Sequence, residues 1–219
     1  MKNILIYGDS NAWGYDVTRY VAALNTCQRM TEEERWPGRV RAALGSGYNV
    51  IEDALNGRTL LQEDPYFPNR NGLMGLRMAL DANAPLDLVV IQLGCNELKH
   101  MFNLSAGMIA SGAEVLVREC AQPLYGYPVP QVLLIAPAPT HPDIGILDAG
   151  YNFGPEAYGK SLELGGLYRK VAERNGCVFI DCAELNLEIN GIDGLHYSKA
   201  DHAKLAAAVT ERILRMLEA

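Results

Sequence analysis

Short β-rich apolar runs alternate with segments of helical periodicity from one end of this chain to the other, and few folds accept that pattern. Lys2–Tyr7, Tyr48–Ala54, Leu86–Leu93, Gln131–Ala136 and Cys177–Asp181 read as strands. The third and fourth are nearly continuous apolar runs, as expected for strands covered on both faces. Helical patterns lie between them, over Glu32–Leu44, Gly72–Asn83, Ser105–Gln122, Gly159–Asn175 and Ser198–Leu217. Pro37 moves the regular start of the first toward Trp36, and Ser198 with Asp201 has the spacing of a capping box on the last. The pattern predicts a three-layer α/β/α sandwich in one domain, residues 1–219. Its five-stranded parallel sheet takes the flavodoxin-like order 2-1-3-4-5 with right-handed crossovers. Such sheets bind ligands beyond the carboxyl ends of their strands, at the switch point between strands 1 and 3.

Composition excludes several classes of function. The formal charge is −7, from 19 Lys+Arg against 26 Asp+Glu. A phosphate-backbone binder needs a basic face, so no nucleic-acid partner is expected. No apolar run approaches the ~20 residues of a spanning helix, and no membrane partner is expected. The opening Met1–Tyr7 turns polar too soon for a signal peptide. The five cysteines (Cys27, Cys95, Cys120, Cys177, Cys182) show no C-x-x-C and no zinc-ligand spacing. They read as buried thiols without disulfides in a reducing cytoplasm, with no metal and no cofactor.

The strand ends carry the chemistry. Gly8-Asp9-Ser10-Asn11 follows the first strand, Asn56-Gly57-Arg58-Thr59 the second, and Gly94-Cys95-Asn96-Glu97 the third. Asp193-Gly194-Leu195-His196 lies between the fifth strand and the last helix. All four fall on one edge of the sheet. A serine hydroxyl is a weak nucleophile until a base takes its proton, and His196 is the candidate base. Asp193, three residues earlier, can accept from its Nδ1–H and fix the tautomer. The Ser10 and Gly57 N–H groups and the Asn96 side-chain amide can face an oxyanion. Taken singly, each of these residues suits an ordinary turn. A turn, however, needs no matching set at the other strand ends.

The four segments resemble the SGNH (GDSL-type) hydrolase family, with Ser10, Gly57, Asn96 and His196 on its four signature positions in order. The resemblance extends over essentially the whole chain. It is strongest to the small intracellular arylesterase/acyltransferase branch, through Gly8–Gly14, Arg35–Gly38, Asn56–Thr59 and Asp193–His196. It implies the SGNH hydrolase fold, a Ser10–His196–Asp193 triad and an oxyanion hole of Ser10, Gly57 and Asn96. It also implies short acyl esters as small-molecule substrates, acyl transfer to alcohols or peroxide, and a homo-oligomer. Two positions depart from the family pattern. Asn11 stands where Leu is usual, and Glu97 where Asp is usual, which adds a methylene beside the site. The family's Asp is not a proton carrier in the reaction, so Glu97 leaves the implied mechanism intact.

Asp9, Asn11, Trp13, Cys95, Pro139 and Leu195 are candidate wall residues of the pocket. Cys95 is a poor rival nucleophile, because nothing nearby lowers its pKa. His202, inside the last helix, is expected to be exposed, and His100 and His141 to be surface groups. The segment Pro137–Tyr158 is long and apolar for a loop, which predicts a pocket wall or subunit contact. Trp13–Met30 would form the opposite wall. The expected activity is that of a serine esterase acting on aryl or alkyl acetate-type esters. A carbohydrate or metabolite O-deacetylase would use the same triad, and a non-catalytic flavodoxin-like binding module would use none of it. The first loop lacks both Gly-x-Gly-x-x-Gly and Gly-x-x-x-x-Gly-Lys-Ser/Thr, which leaves a nucleotide ligand without support.

Overall fold

The apolar runs become strands, and the structure, a computed structural model, describes residues 1–217. β1 (Lys2–Gly8) runs directly into a single helical turn, α1 (Ser10–Trp13). β2 (Tyr15–Val21) and β3 (Thr26–Arg29) pair as an antiparallel hairpin. Next come α2 (Trp36–Leu44), β4 (Tyr48–Ala54), α3 (Gly72–Asn83) and β5 (Leu88–Gln92). α4 (Ala106–Cys120), β6 (Gln131–Ala136), the short α5 (Gly150–Phe153) and α6 (Ala157–Asn175) follow. β7 (Val178–Asp181) and α7 (Lys199–Leu217) complete the described elements.

The main sheet has the order β4-β1-β5-β6-β7, and every pairing in it is parallel. Its five strands therefore stand as 2-1-3-4-5 once the hairpin is set aside. The difference in detail is the hairpin itself, a separate two-stranded sheet inside the segment read as a connection. Alternate residues of β1 explain the three layers. Leu5 and Tyr7 join a core with Leu76, Leu80, Ile109, Leu116, Leu164 and Val171 of α3, α4 and α6. Ile4 and Ile6 point the other way, into a core with Trp36 and Val40 of α2 and Leu205, Val209 and Ile213 of α7. A strand buried on both faces has no room for polar alternation.

The helix starts follow local chemistry. Pro37 sits in the first turn of α2, where its missing N–H is not needed. Ahead of α7, the Ser198 hydroxyl accepts from the Asp201 N–H at 3.2 Å, while Asp201 Oδ2 accepts from the Ser198 N–H at 3.2 Å. This is the expected reciprocal box. Three expectations need correction. His202 is buried, not exposed, because its Nδ1 accepts from the Trp36 N–H at 3.1 Å across the α2–α7 packing. Burial draws its pKa down to about 4, and the neighbouring His196 adds to that. Cys27 and Cys177 are half-buried rather than buried. The Pro137–Tyr158 loop is shorter than expected, since α5 and the start of α6 fall inside it.

Gly94, just beyond β5, has φ of +120°. A Cβ there would stand 2.1 Å from the Tyr168 hydroxyl oxygen, itself bonded to the Leu93 carbonyl at 2.9 Å. Gly94→Ala adds backbone strain to a clash with a fully buried ring. The expected loss is about 3 kcal/mol or more, a fall in Tm of about 6–12 °C. A melting curve within 2 °C of wild type would show that the loop absorbs the methyl group freely.

Candidate active site

Two of the four segments meet in one bonded chain. The Ser10 Oγ and His196 Nε2 are 2.8 Å apart across 186 residues of sequence. The other ring nitrogen, Nδ1, bonds to Asp193 Oδ2. A carboxylate only accepts, so Nδ1 carries the proton and Nε2 is left as acceptor for the serine hydroxyl. Asp193 Oδ1 is occupied as well. It accepts from the N–H groups of Leu195 (2.9 Å) and His196 (3.1 Å) and from Asn190 Nδ2 (3.1 Å). Burial opposes ionisation of this carboxyl. The His196 bond and charge, with the two backbone donors, outweigh it and pull the pKa down to about 2.

The position of His196 is fixed through the residue after the serine. Asn11 Oδ1 accepts from the Tyr197 N–H at 3.0 Å, and its Nδ2 donates to the Leu195 carbonyl at 3.4 Å. One side chain thus holds both chain neighbours of His196, a task that Leu at this position could not perform. A buried polar chain supports the same loop. Trp36 Nε1 donates to Gln92 Oε1 (3.0 Å), Gln92 Nε2 to the Tyr197 hydroxyl (3.2 Å), and the Ala138 N–H to that hydroxyl (3.1 Å). The Tyr15 ring lies against the imidazole of His196 with centroids 4.5 Å apart.

Ser10, Gly57 and Asn96, the expected oxyanion donors, line one cavity. As the first residue of α1, Ser10 has no intrahelical acceptor for its N–H. Gly57, with φ of +77°, lines the same cavity. Asn96 Nδ2 donates to the Arg58 carbonyl at 3.0 Å, which orients the amide and leaves its second hydrogen free. Glu97 secures the same turn, since its Oε1 accepts from the Leu60 N–H. The longer side chain therefore still reaches the loop that follows β4.

The other Glu97 oxygen, Oε2, has no hydrogen-bond partner. Burial pushes this carboxyl up to about 8; the Leu60 N–H works against that rise and the charge of Asp9 adds to it. The folded state therefore holds a proton that the unfolded chain releases above about 4.5. Stability from this group is full below that pH and is lost as pH climbs through 8. Glu97→Gln keeps the Leu60 bond without the charge. Its stability relative to wild type is expected to improve by several kcal/mol between pH 5 and pH 9. Urea unfolding of both proteins at the two pH values measures it, and parallel pH dependence contradicts the assignment.

The trio opens into a cavity of about 800 Å³. Ser10, Gly57, Asn96, Asp193 and His196 all line it. Both expected walls are present. Tyr15, Val17 and Tyr20 come from the hairpin, and Asp148, Tyr151 and Asn152 from the Pro137–Tyr158 segment. Of the six candidate wall residues, Leu195 lines the cavity. Asp9, Asn11, Trp13, Cys95 and Pro139 do not. Asp9 is buried behind the serine, where its Oδ1 caps α1 through the Asn11 N–H at 2.9 Å. Burial raises its pKa to about 6. Cys95 is also buried, and burial drives its thiol well above the usual range, which makes it a poor nucleophile. Trp13 instead packs under the Arg29 guanidinium, 5.2 Å from the ring centroid. Arg70 and Lys99 are wall residues that the sequence reading missed, and Tyr15 is expected there only as part of the Trp13–Met30 segment. The alternation of Tyr15 and Val17 ahead of Asn25 was a faint hairpin signal; Arg70 gave none.

Among the described residues, no group of three or more His, Cys, Asp or Glu could hold a metal ion, and no helix is long and apolar enough to cross a membrane.

A parallel α/β sheet carrying a bonded Ser–His–Asp chain at its carboxyl edge is the arrangement of the SGNH-type ester hydrolases. The chain belongs to the GDSL-like lipase/acylhydrolase family, whose model matches residues 6–204. It is a carboxylic ester hydrolase. Among solved structures, it is similar to a carbohydrate acetylesterase from Sinorhizobium meliloti, with 34% identity and a TM-score of 0.89 over 99% of this chain and 100% of that one. It is also similar to the aryl esterase of M. smegmatis, with 31% identity, a TM-score of 0.89 and the same coverage. A lipase/acylhydrolase from Enterococcus faecalis, 19% identical, shares the fold with a TM-score of 0.65 over 97% of this chain and 95% of that one. A comparison with curated proteins gives no match.

Proposed function

We propose that this protein cleaves short-chain acyl esters, with Ser10 as nucleophile, His196 as general base and acid, and Asp193 as the group that orients His196. The observation that carries this reading is the unbroken Ser10–His196–Asp193 chain inside a cavity. Oγ attacks the ester carbonyl as its proton passes to Nε2. The Ser10 and Gly57 N–H groups and Asn96 Nδ2 take the oxyanion. The intermediate collapses, the alcohol leaves with the proton from Nε2, and the acyl group stays on Oγ. Water then repeats the sequence and frees the acid. An alcohol or peroxide in place of water makes the same step an acyl transfer. An organophosphonate tests the first claim. It should form an adduct at Ser10, and a binding module with no activated serine would form none.

A second reading, O-deacetylation of a carbohydrate, is favoured by the size and lining of the cavity. About 800 Å³ is room for a whole small molecule rather than for an acetyl group alone. Asn25, Asn56 and Asn152 line it together with Tyr15, Tyr20 and Tyr151. Such a wall offers flat apolar faces and planar hydrogen-bonding groups together. The carbohydrate acetylesterase likeness agrees with it. Acetylated sugars compared with aryl acetates decide between the readings. A preference for the sugars by orders of magnitude in kcat/KM would replace the first substrate class with the second.

Self-association is part of the same proposal. Tyr20, Leu24, Ile146 and Tyr151 are exposed apolar side chains on the two chain segments that supply the walls, and apolar surface of this kind favours a partner. Light scattering that finds only the 24.0 kDa species would reject it.

A further inference from the structure

Arg70 touches the site in a way that the bonded trio does not explain. Its Nε donates to the Asn56 carbonyl at 2.6 Å and its Nη1 to the Pro68 carbonyl at 2.7 Å. The Asn56 carbonyl and the Gly57 N–H are opposite ends of one planar amide. The guanidinium therefore holds the carbonyl end of the amide whose N–H is the proposed oxyanion donor. The contact is close, for a Cβ on Gly57 would stand 3.6 Å from the Arg70 Nε.

Among the described residues Arg70 has no carboxylate within ion-pair distance; besides its two bonds to carbonyl oxygens, the guanidinium lies over the Phe67 ring, 5.9 Å from the centroid. The other cation of the cavity wall, Lys99, is bound to the buried Asp64 at 2.7 Å. The second proposed amide donor differs as well. The Asp9 carbonyl, at the far end of the Ser10 amide, accepts only the neutral N–H groups of Ala12 (3.2 Å) and Trp13 (2.8 Å).

We propose that Arg70 is a positioning residue that aims and polarises the Asn56–Gly57 amide, making the Gly57 N–H a stronger donor to the oxyanion. This rests on the reading of Gly57 as an oxyanion donor. A hydrogen bond to an amide oxygen draws electrons through the conjugated C–N bond and strengthens the N–H at the other end. A cationic donor does so more strongly than a neutral one. The gain grows with the charge on the acceptor, so it acts on the transition state more than on bound substrate. Arg70 should therefore appear in kcat rather than in KM.

The side chain is separable from the fold of its loop. The Arg70 carbonyl accepts from the Thr59 N–H and hydroxyl, each at 2.9 Å. The Leu73 N–H reaches the Leu60 carbonyl at 2.9 Å, and Asn71 Nδ2 reaches the Leu61 carbonyl at 2.7 Å. None of these bonds uses the guanidinium.

Arg70→Met keeps a long apolar stem and removes the charge, whereas Arg70→Lys keeps a cation able to reach the Asn56 carbonyl. The Met variant should lose roughly 10- to 50-fold in kcat, less than the ~10²–10³ of losing a donor outright, with KM within about threefold. Lys should recover most of the loss. An alkylboronic acid, which forms a tetrahedral anionic adduct on Ser10, should bind the Met variant weaker in proportion to kcat/KM. An N-aryl acetamide, planar and uncharged, should bind all variants alike. A merely structural role would shift both ligands together. Unchanged boronate affinity in the Met variant, or an effect confined to KM, overturns the proposal. Should the Met variant fail to fold, Arg70→Gln, which keeps a neutral donor, is read in the same way against Lys. Asn96→Ala separates the two levels of the argument. Loss of boronate affinity there but not at position 70 rejects Arg70 alone, whereas no loss at either rejects the oxyanion reading itself.

Discussion

Ser10→Ala is expected to lower kcat/KM for an aryl acetate by roughly 10⁴-fold or more. The change removes one oxygen atom, whose bond in the structure is the 2.8 Å contact to His196 Nε2. Nothing in the core depends on it. Asp9 still caps α1 through the Asn11 N–H, and Asn11 still bonds to Leu195 and Tyr197. The melting temperature should therefore stay within a few degrees of wild type. Residual hydrolysis is expected, because a water molecule can use the remaining base and oxyanion donors. The adduct with an organophosphonate should vanish completely. Equal esterase rates in the two proteins would remove Ser10 from the mechanism.

Asp193→Asn should lower kcat by about 10⁴-fold with the imidazole still in place. The reason lies in both carboxylate oxygens. Oδ2 takes the Nδ1–H of His196, and Oδ1 takes the N–H groups of Leu195 and His196. An asparagine must turn its NH2 toward one of these sets, and every group in both is a donor. Facing the ring, it forces the proton onto Nε2, where the serine hydroxyl then finds no acceptor. Facing the backbone, it breaks the turn that carries His196. Acid stability should change as well. The Asp193 carboxyl, held near 2, contributes stability that is present above its ordinary value of 3.8 and is lost as pH falls through 2. That contribution, about 2 kcal/mol, should be missing from the asparagine variant at pH 7. A variant with near-native kcat would show that the imidazole needs no carboxylate.

The strand-end segments were legible because their residue types are restrictive. Gly-Asp-Ser-Asn closes a strand, starts a turn and exposes a hydroxyl, and few other tetrapeptides do all three. The sheet was legible because strands buried on both faces must be apolar at successive positions, as Leu88–Gln92 nearly is. The β2–β3 hairpin was not. It is short, belongs to no large core, and its alternation is broken by a register shift between Asp16 and Tyr20. His202 misled for a related reason. A histidine on a helix is usually a surface group, and this one is buried where α7 packs on α2, accepting from the Trp36 N–H.

Local sequence, through backbone propensity and the period of its apolar residues, is enough to specify the layers and the four loops that close the strands. Those forces act between near neighbours and repeat along the chain. The 2.8 Å approach of Ser10 to His196, the two-handed hold of Asn11 on the histidine loop and the grip of Arg70 on the Gly57 amide are different. Each is a contact between groups brought close by packing. A hydrogen bond is made or lost within a few tenths of an ångström, a precision that no pattern of residue types encodes.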